Sequence, residues 1–258
     1  MFGVTHVMAR DGYSGMIVAY STMPVKINLT IYEEIYKRTV LKYGLWDQVR
    51  VDGGKEFVLI CHVQEIMRDQ RRNSSIVPYK TTKSTENNII ERIWVEVNSR
   101  INYPLKKALN QFIRDGSIDF SSQLTRFAVS WITCRVSRVG LERFVEAWNH
   151  HSIPKKGQPI ELMRAKNRAS PVTNMLSKEE AADHYESVVE KSLTRVNGFG
   201  TDPLSHCAEL NKRSESEVLK KCCFETIFSD IQQDNTRSFL SCIQHFIFVS
   251  NALLNPYR

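Results

Sequence analysis

Val49-Arg50-Val51-Asp52-Gly53-Gly54-Lys55-Glu56-Phe57 is the stretch on which the reading of this 258-residue chain turns. Gln48 to Val51 has strand length and β-branched residues, and the two glycines behind it predict a tight turn. Phe57, Ile60 and Met67 then recur at helical spacing, which predicts a helix from about Lys55 to Arg71. The unit is strand, turn, helix. Asp52 stands at the carboxyl end of the strand, where open α/β sheets place their ligands and where glycine permits close approach to the backbone. An Asp before Gly-Gly is also an ordinary turn former.

Thirty-nine residues further on, Asn88-Ile89-Ile90-Glu91-Arg92 sets a second carboxylate in the first turn of a helix. That helix is expected to bury Ile89, Ile90, Ile93, Trp94, Val97 and Ile101, and to end or kink at Pro104. A Glu in a first turn complements the helix dipole, so it too has an ordinary role taken singly. Between the two acids, Ile76 to Tyr79 leads into a polar loop from Lys80 to Asn88.

Upstream, Phe2 to Ala9 and Met16 to Tyr20 are apolar runs of strand length separated by Arg10-Asp11-Gly12, the pattern of a β-hairpin. Asn28 is placed to cap a helix carrying Leu29, Tyr32, Ile35, Tyr36, Val40 and Tyr43, with Gly44 as its stop. Downstream, two helices are predicted over Ser122 to Arg135 and Gly140 to His150, and a Pro- and Lys-rich stretch from Pro154 to Pro171 has the composition of a domain edge. Beyond it, Ser177 to Arg195 reads as a polar helix with a Glu-rich opening turn, and Glu217 to Leu254 as mixed and helical.

Composition is that of a globular chain, 42% hydrophobic and 24% charged. No apolar run approaches the ~20 residues of a membrane span, and residues 1 to 12 lack the apolar block of a signal peptide, so an intracellular location is expected. The six cysteines show no paired CxxC spacing, which leaves reduced thiols as the expectation; the group His206, Cys207, Cys222, Cys223, Cys242 and His245 matches no ligand pattern. Charge is uneven. Residues 1 to 165 hold 24 Lys and Arg against 16 Asp and Glu, whereas residues 166 to 258 hold 11 against 12. The basic half is the candidate for a polyanion such as DNA.

Asp52, Gly54 and Phe57, followed by Ile89-Ile90-Glu91, resemble the acidic pattern of the retroviral-type integrases and transposases, a ribonuclease H-like superfamily. There the second Asp stands in Asp-Asn-Gly-x-x-Phe and the catalytic Glu follows at a similar interval in Gly-Val-Val-Glu or a close variant. The turn Asp11-Gly12-Tyr13-Ser14-Gly15 is similar to the family's Asp-x-x-Ser-Gly, and Trp148-Asn149 to Leu162 resembles the segment that closes its core. The resemblance covers roughly residues 2 to 165 and looks closest to transposon-derived integrase-core proteins of animals. It implies an α/β fold: a ribonuclease H-like mixed sheet flanked by helices, over residues 1–165, with a helical extension over 166–258. It also implies Asp52 and Glu91 as catalytic, metal-binding residues, holding Mg²⁺ for two-metal phosphoryl transfer in DNA integration.

The chain departs from the pattern at its amino end. The family's first Asp ends a strand upstream of the one that begins here at Phe2, so the core reads as truncated by one strand and impaired in catalysis. Lys80, Lys83, Arg92 and Arg100 surround the motifs and are the candidate DNA contacts. Where retroviral relatives carry lysines one and two turns after the Glu, this chain has Val95 and Asn98. Two readings follow. One is an integrase-like module acting on DNA; the other is a non-enzymatic nucleic-acid- or protein-binding module derived from a transposon. DNA is the expected partner, a homo-oligomer is a further option, a membrane is not expected, and DNA binding would put the protein in the nucleus.

Overall fold

The computed structural model describes residues 2–82 and 88–254. Lys83 therefore lies outside the described residues, as do the side chains of Asn88 and Ile89. The hairpin forms as expected: β1 (Thr5–Arg10) pairs antiparallel with β2 (Ile17–Met23), with an irregularity between Ala9 and Arg10. Asp11 holds the turn by accepting from the Tyr13 and Ser14 amides and the Ser14 hydroxyl. It is a turn acid, as Asp-Gly-x-Ser at a hairpin tip favours.

β3 (Val49–Val51) runs parallel to β4 (Tyr79–Thr81), in the register Val49 to Tyr79, Arg50 to Lys80 and Val51 to Thr81. A parallel pair needs a crossover connection, and α3 (Val58–Ile66), flanked by single 3₁₀ turns at Lys55–Phe57 and Arg68–Gln70, supplies it. The chain is thus mixed α/β with small sheets and many helices. The expected single mixed sheet is instead two two-stranded ladders, because among the described residues no strand hydrogen-bonds to both β1 and β3.

Two apolar cores flank the hairpin. Its side chains alternate between them, Met8 and Tyr20 toward one and Val7, Ala9, Ala19 and Met23 toward the other, as the period of two requires. The second core is completed by the helical run of α1 (Asn28–Thr30), a π-helical stretch Ile31–Lys37 and α2 (Arg38–Tyr43), by α3, and by α8 (Lys178–Val189). Asn28 does not cap that run. Its buried amide donates to the Lys55 carbonyl at 2.7 Å and accepts from the Thr194 amide at 3.2 Å, so it locks two later segments together instead. Gly44 does stop it, at φ 99°, with an added Cβ only 2.7 Å from the Ser170 carbonyl oxygen.

The first core is helical: α4 (Asn88–Val97), α5 (Tyr103–Arg114), α6 (Gln123–His150), and, from the extension, α9 (Ala208–Lys221), α10 (Phe224–Gln232) and α11 (Arg237–Leu254). α7 (Pro159–Lys166) packs beside α6. Pro104 neither ends nor breaks its helix. The stretch Asn98–Asn102 widens to π-helical, and the Arg100 carbonyl, which a proline nitrogen cannot satisfy, accepts from Gln232 Nε2 at 2.8 Å. The two helices expected over 122–135 and 140–150 are one helix of 28 residues, α6. Near its end Asn149 pairs with both backbone groups of Ile17, at 2.8 and 3.0 Å, and Trp148 Nε1 donates to the Gly15 carbonyl. The closing segment thereby grips the edge of β2. α8 is shorter than the expected Ser177–Arg195 helix; it opens with a capping box between Ser177 and Glu180 and ends where Glu190 turns left-handed.

The expectation of reduced thiols fails at Cys222 and Cys242, which are joined as a disulfide because α9 packs along α11 and brings their Cα atoms to 5.8 Å. Cys61, Cys134, Cys207 and Cys223 remain free. With 20 residues of sequence separation, the bond removes enough unfolded-chain freedom to contribute about 3 kcal/mol. Denaturant unfolding with and without a strong reductant measures this: a midpoint that does not move would show that the bond contributes nothing.

Candidate functional site

Asp52 follows β3 directly and is exposed, while Val51 before it is buried. Its Oδ1 accepts from the Gly54 amide at 3.2 Å, a turn-forming contact that leaves Oδ2 open to solvent. The neighbouring glycines have ordinary negative φ, and an added Cβ at Gly53 would meet only the Thr81 methyl at 3.8 Å. Glu56 is not available alongside Asp52. Burial, the largest single influence, raises its carboxyl, but the 2.6 Å ion pair with Lys26 and a hydrogen bond from its own backbone amide together hold it below the usual carboxylate range.

Glu91 is exposed in the first turn of α4. At 100° per residue it lies across the helix from buried Ile93 and shares a stripe with Val95 and Asn98. That stripe leads to the sheet by a hydrogen-bond chain: Thr22 Oγ1 meets His6 Nδ1 at 2.9 Å, His6 Nε2 meets Asn102 Oδ1 at 2.9 Å, and Asn102 Nδ2 donates to Asn98 Oδ1 at 2.8 Å. Burial depresses the His6 pKa, the Asn102 contact opposing it, so a neutral ring with its proton on Nε2 fits every contact. The helix that carries Glu91 is therefore tied to β1 through His6. Composition and periodicity give no sign of this, because the contact spans 96 residues.

Of the expected basic contacts, Lys80 and Arg92 are exposed and without an acidic partner among the described residues. Arg100 is exposed and paired with Glu96 at 2.9 Å, which offsets its charge. A cation that the sequence reading passed over is Arg50, exposed on β3 directly across from Lys80. The signal was present: outward Gln48, Arg50 and Asp52 alternate with inward Val49 and Val51. Two positive side chains side by side on paired strands repel each other, and an anion bound between them relieves that repulsion.

Exposed carboxylates are the right donors for a hard divalent cation such as Mg²⁺. Among the described residues, however, no three His, Cys, Asp or Glu side chains gather closely enough to hold a metal. That includes the cysteine and histidine cluster of the extension. No described helix is long and apolar enough to cross a membrane.

Comparison with known proteins adds one match: a family model described as an integrase core domain covers residues 2–171. No curated protein and no solved structure matches the chain.

Proposed function

The chain belongs to the integrase core domain family, and on that premise we propose that it binds DNA through the basic edge of β3 and β4 and the outward face of α4. The observation that carries this reading is the unneutralised pair of Arg50 on β3 and Lys80 on β4, in register across the parallel ladder whose first strand leads into Asp52. Arg92, exposed on α4 one residue after Glu91, is assigned as a further phosphate contact. A double-stranded phosphate backbone supplies the anion that such a surface lacks.

The same reading makes the two two-stranded ladders halves of a ribonuclease H-like sheet, with room for a strand that pairs with β1 on one side and β3 on the other. Asp52 and Glu91 would hold Mg²⁺, which when bound stabilises charge on a transferring phosphoryl group. The chain's own part is to present open oxygens at a strand end and a helix start. With two such residues rather than a full ligand set, binding without chemistry is the expected behaviour of residues 1–258 alone. A transposon origin and a nuclear location belong to the same proposal.

Binding is expected to be independent of sequence and steeply dependent on salt. Each removed phosphate contact lowers the slope of log affinity against log salt by roughly one. Fluorescence anisotropy with short duplexes at several salt concentrations measures it. Lys80→Glu with Arg50→Glu is expected to weaken binding more than Arg100→Glu, whose charge is already paired; Lys83→Glu and Arg92→Glu should behave like Lys80→Glu. Affinity insensitive to salt and to all of these would favour a protein partner over DNA.

A further inference from the structure

Among the described residues, two histidines meet across two elements. His62 on α3 and His184 on α8 approach at 2.9 Å between Nε2 and Nδ1, with ring centroids 5.1 Å apart. We propose that these two histidines form a binding site for a borderline divalent transition metal, Zn²⁺ or Cu²⁺, that clamps the carboxy-terminal extension to the core. The proposal is independent of DNA binding.

The geometry favours it. A 2.9 Å contact between two ring nitrogens points one N–H at the other's lone pair. Replacing that proton by a metal with bonds of ~2.0–2.1 Å puts two tetrahedral ligands roughly 3.3 Å apart, so the rings need to part by only a few tenths of an ångström. Both backbones are held. α3 and α8 pack into one core, α8 is fixed by its capping box, and the edge of buried Tyr185 braces the His62 ring at 5.3 Å between centroids. The site is open at the surface, so water can complete the coordination. Imidazole pairs suit zinc and copper, whereas Mg²⁺ prefers oxygen, so this site and the carboxylates select different ions.

Calorimetric titration of the 258-residue chain with zinc chloride at neutral pH is expected to show one saturable site and a rise in melting temperature. His62→Gln combined with His184→Gln should lose both while the circular dichroism spectrum is unchanged, since Gln keeps a polar amide at each position. That variant retains all six cysteines, so an undiminished isotherm in it would assign the zinc to thiols and overturn the proposal. As a second reading, the copper-loaded parent is expected to show electron paramagnetic coupling to two imidazole nitrogens. A spectrum without nitrogen coupling would overturn it equally.

Discussion

Residues 1–258 on their own are expected to leave DNA uncut and unjoined, with Mg²⁺ or Mn²⁺ present and at salt low enough for the DNA to be bound. Phosphoryl transfer of the integrase type depends on a carboxylate that bridges paired ions, and removing such a ligand costs several kcal/mol of transition-state stabilisation, hence several powers of ten in rate. Asp52 and Glu91 supply two exposed carboxylates, and no described cluster supplies a third ligand. Asp11 is already committed to three hydrogen bonds in the hairpin turn, and Glu56 to Lys26. The measurement is end cleavage and strand transfer by the 258-residue polypeptide, beside a version extended by a strand ending in Asp. Activity in the extended version alone, lost again in Asp52→Asn or Glu91→Gln, is the expected pattern. Metal-dependent activity of the unextended polypeptide that survives both substitutions would remove Asp52 and Glu91 from the site.

Gly140→Val is expected to lower stability by about 3 kcal/mol, the upper end of what overpacking a filled core costs. Gly140 lies in the middle of α6, and a Cβ built there would stand 2.4 Å from Phe228 Cε2, 2.5 Å from Phe228 Cζ and 3.2 Å from Ile101 Cγ1. Both neighbours are buried, so neither ring nor branch has space to retreat. Removing a helix-interior glycine returns up to ~1 kcal/mol of backbone entropy, which offsets part of the clash for Gly140→Ala and less of it for valine. For a chain of this size the melting temperature should fall by roughly 6–12 °C. Phe228→Leu in the same chain should recover part of the loss, since it clears the atoms a Cβ would strike. Equal melting temperatures for Gly140→Val and the parent would show that α10 does not seat against α6 at this point.

Gly140 also shows where local reading stops. The local pattern reads as two helices, with a break between 135 and 140 and Gly140 opening the second. In the folded chain the residue is where Phe228, eighty-eight residues later, comes within contact of the α6 backbone. Pro104 does not end its helix, for the same kind of reason. The carbonyl it orphans is satisfied by Gln232, so the helix, expected to end or kink there, runs on into α5 through the π-helical stretch. Asn28 has a capping residue's chemistry, yet Lys55 and Thr194 take both ends of its amide.

By itself the sequence determined the hairpin, the strand that ends at Asp52, the helix start at Glu91 and the basic character of the first 165 residues. Each of these is written in a run of a few neighbouring residues, through side-chain alternation, turn chemistry, helical spacing or charge. The motifs that carry the family, and with them the integrase core match, are of this local kind. Only the tertiary structure decided the division of strands into two ladders, the merging of α6, the service of His6 to the helix of Glu91, the disulfide of the extension and the meeting of His62 with His184. The paired residues among these stand from 16 to 122 residues apart in the chain. A hydrogen bond or ring contact over such a distance depends on how whole helices pack, and packing is settled by the sum of many buried contacts that no single stretch of sequence contains.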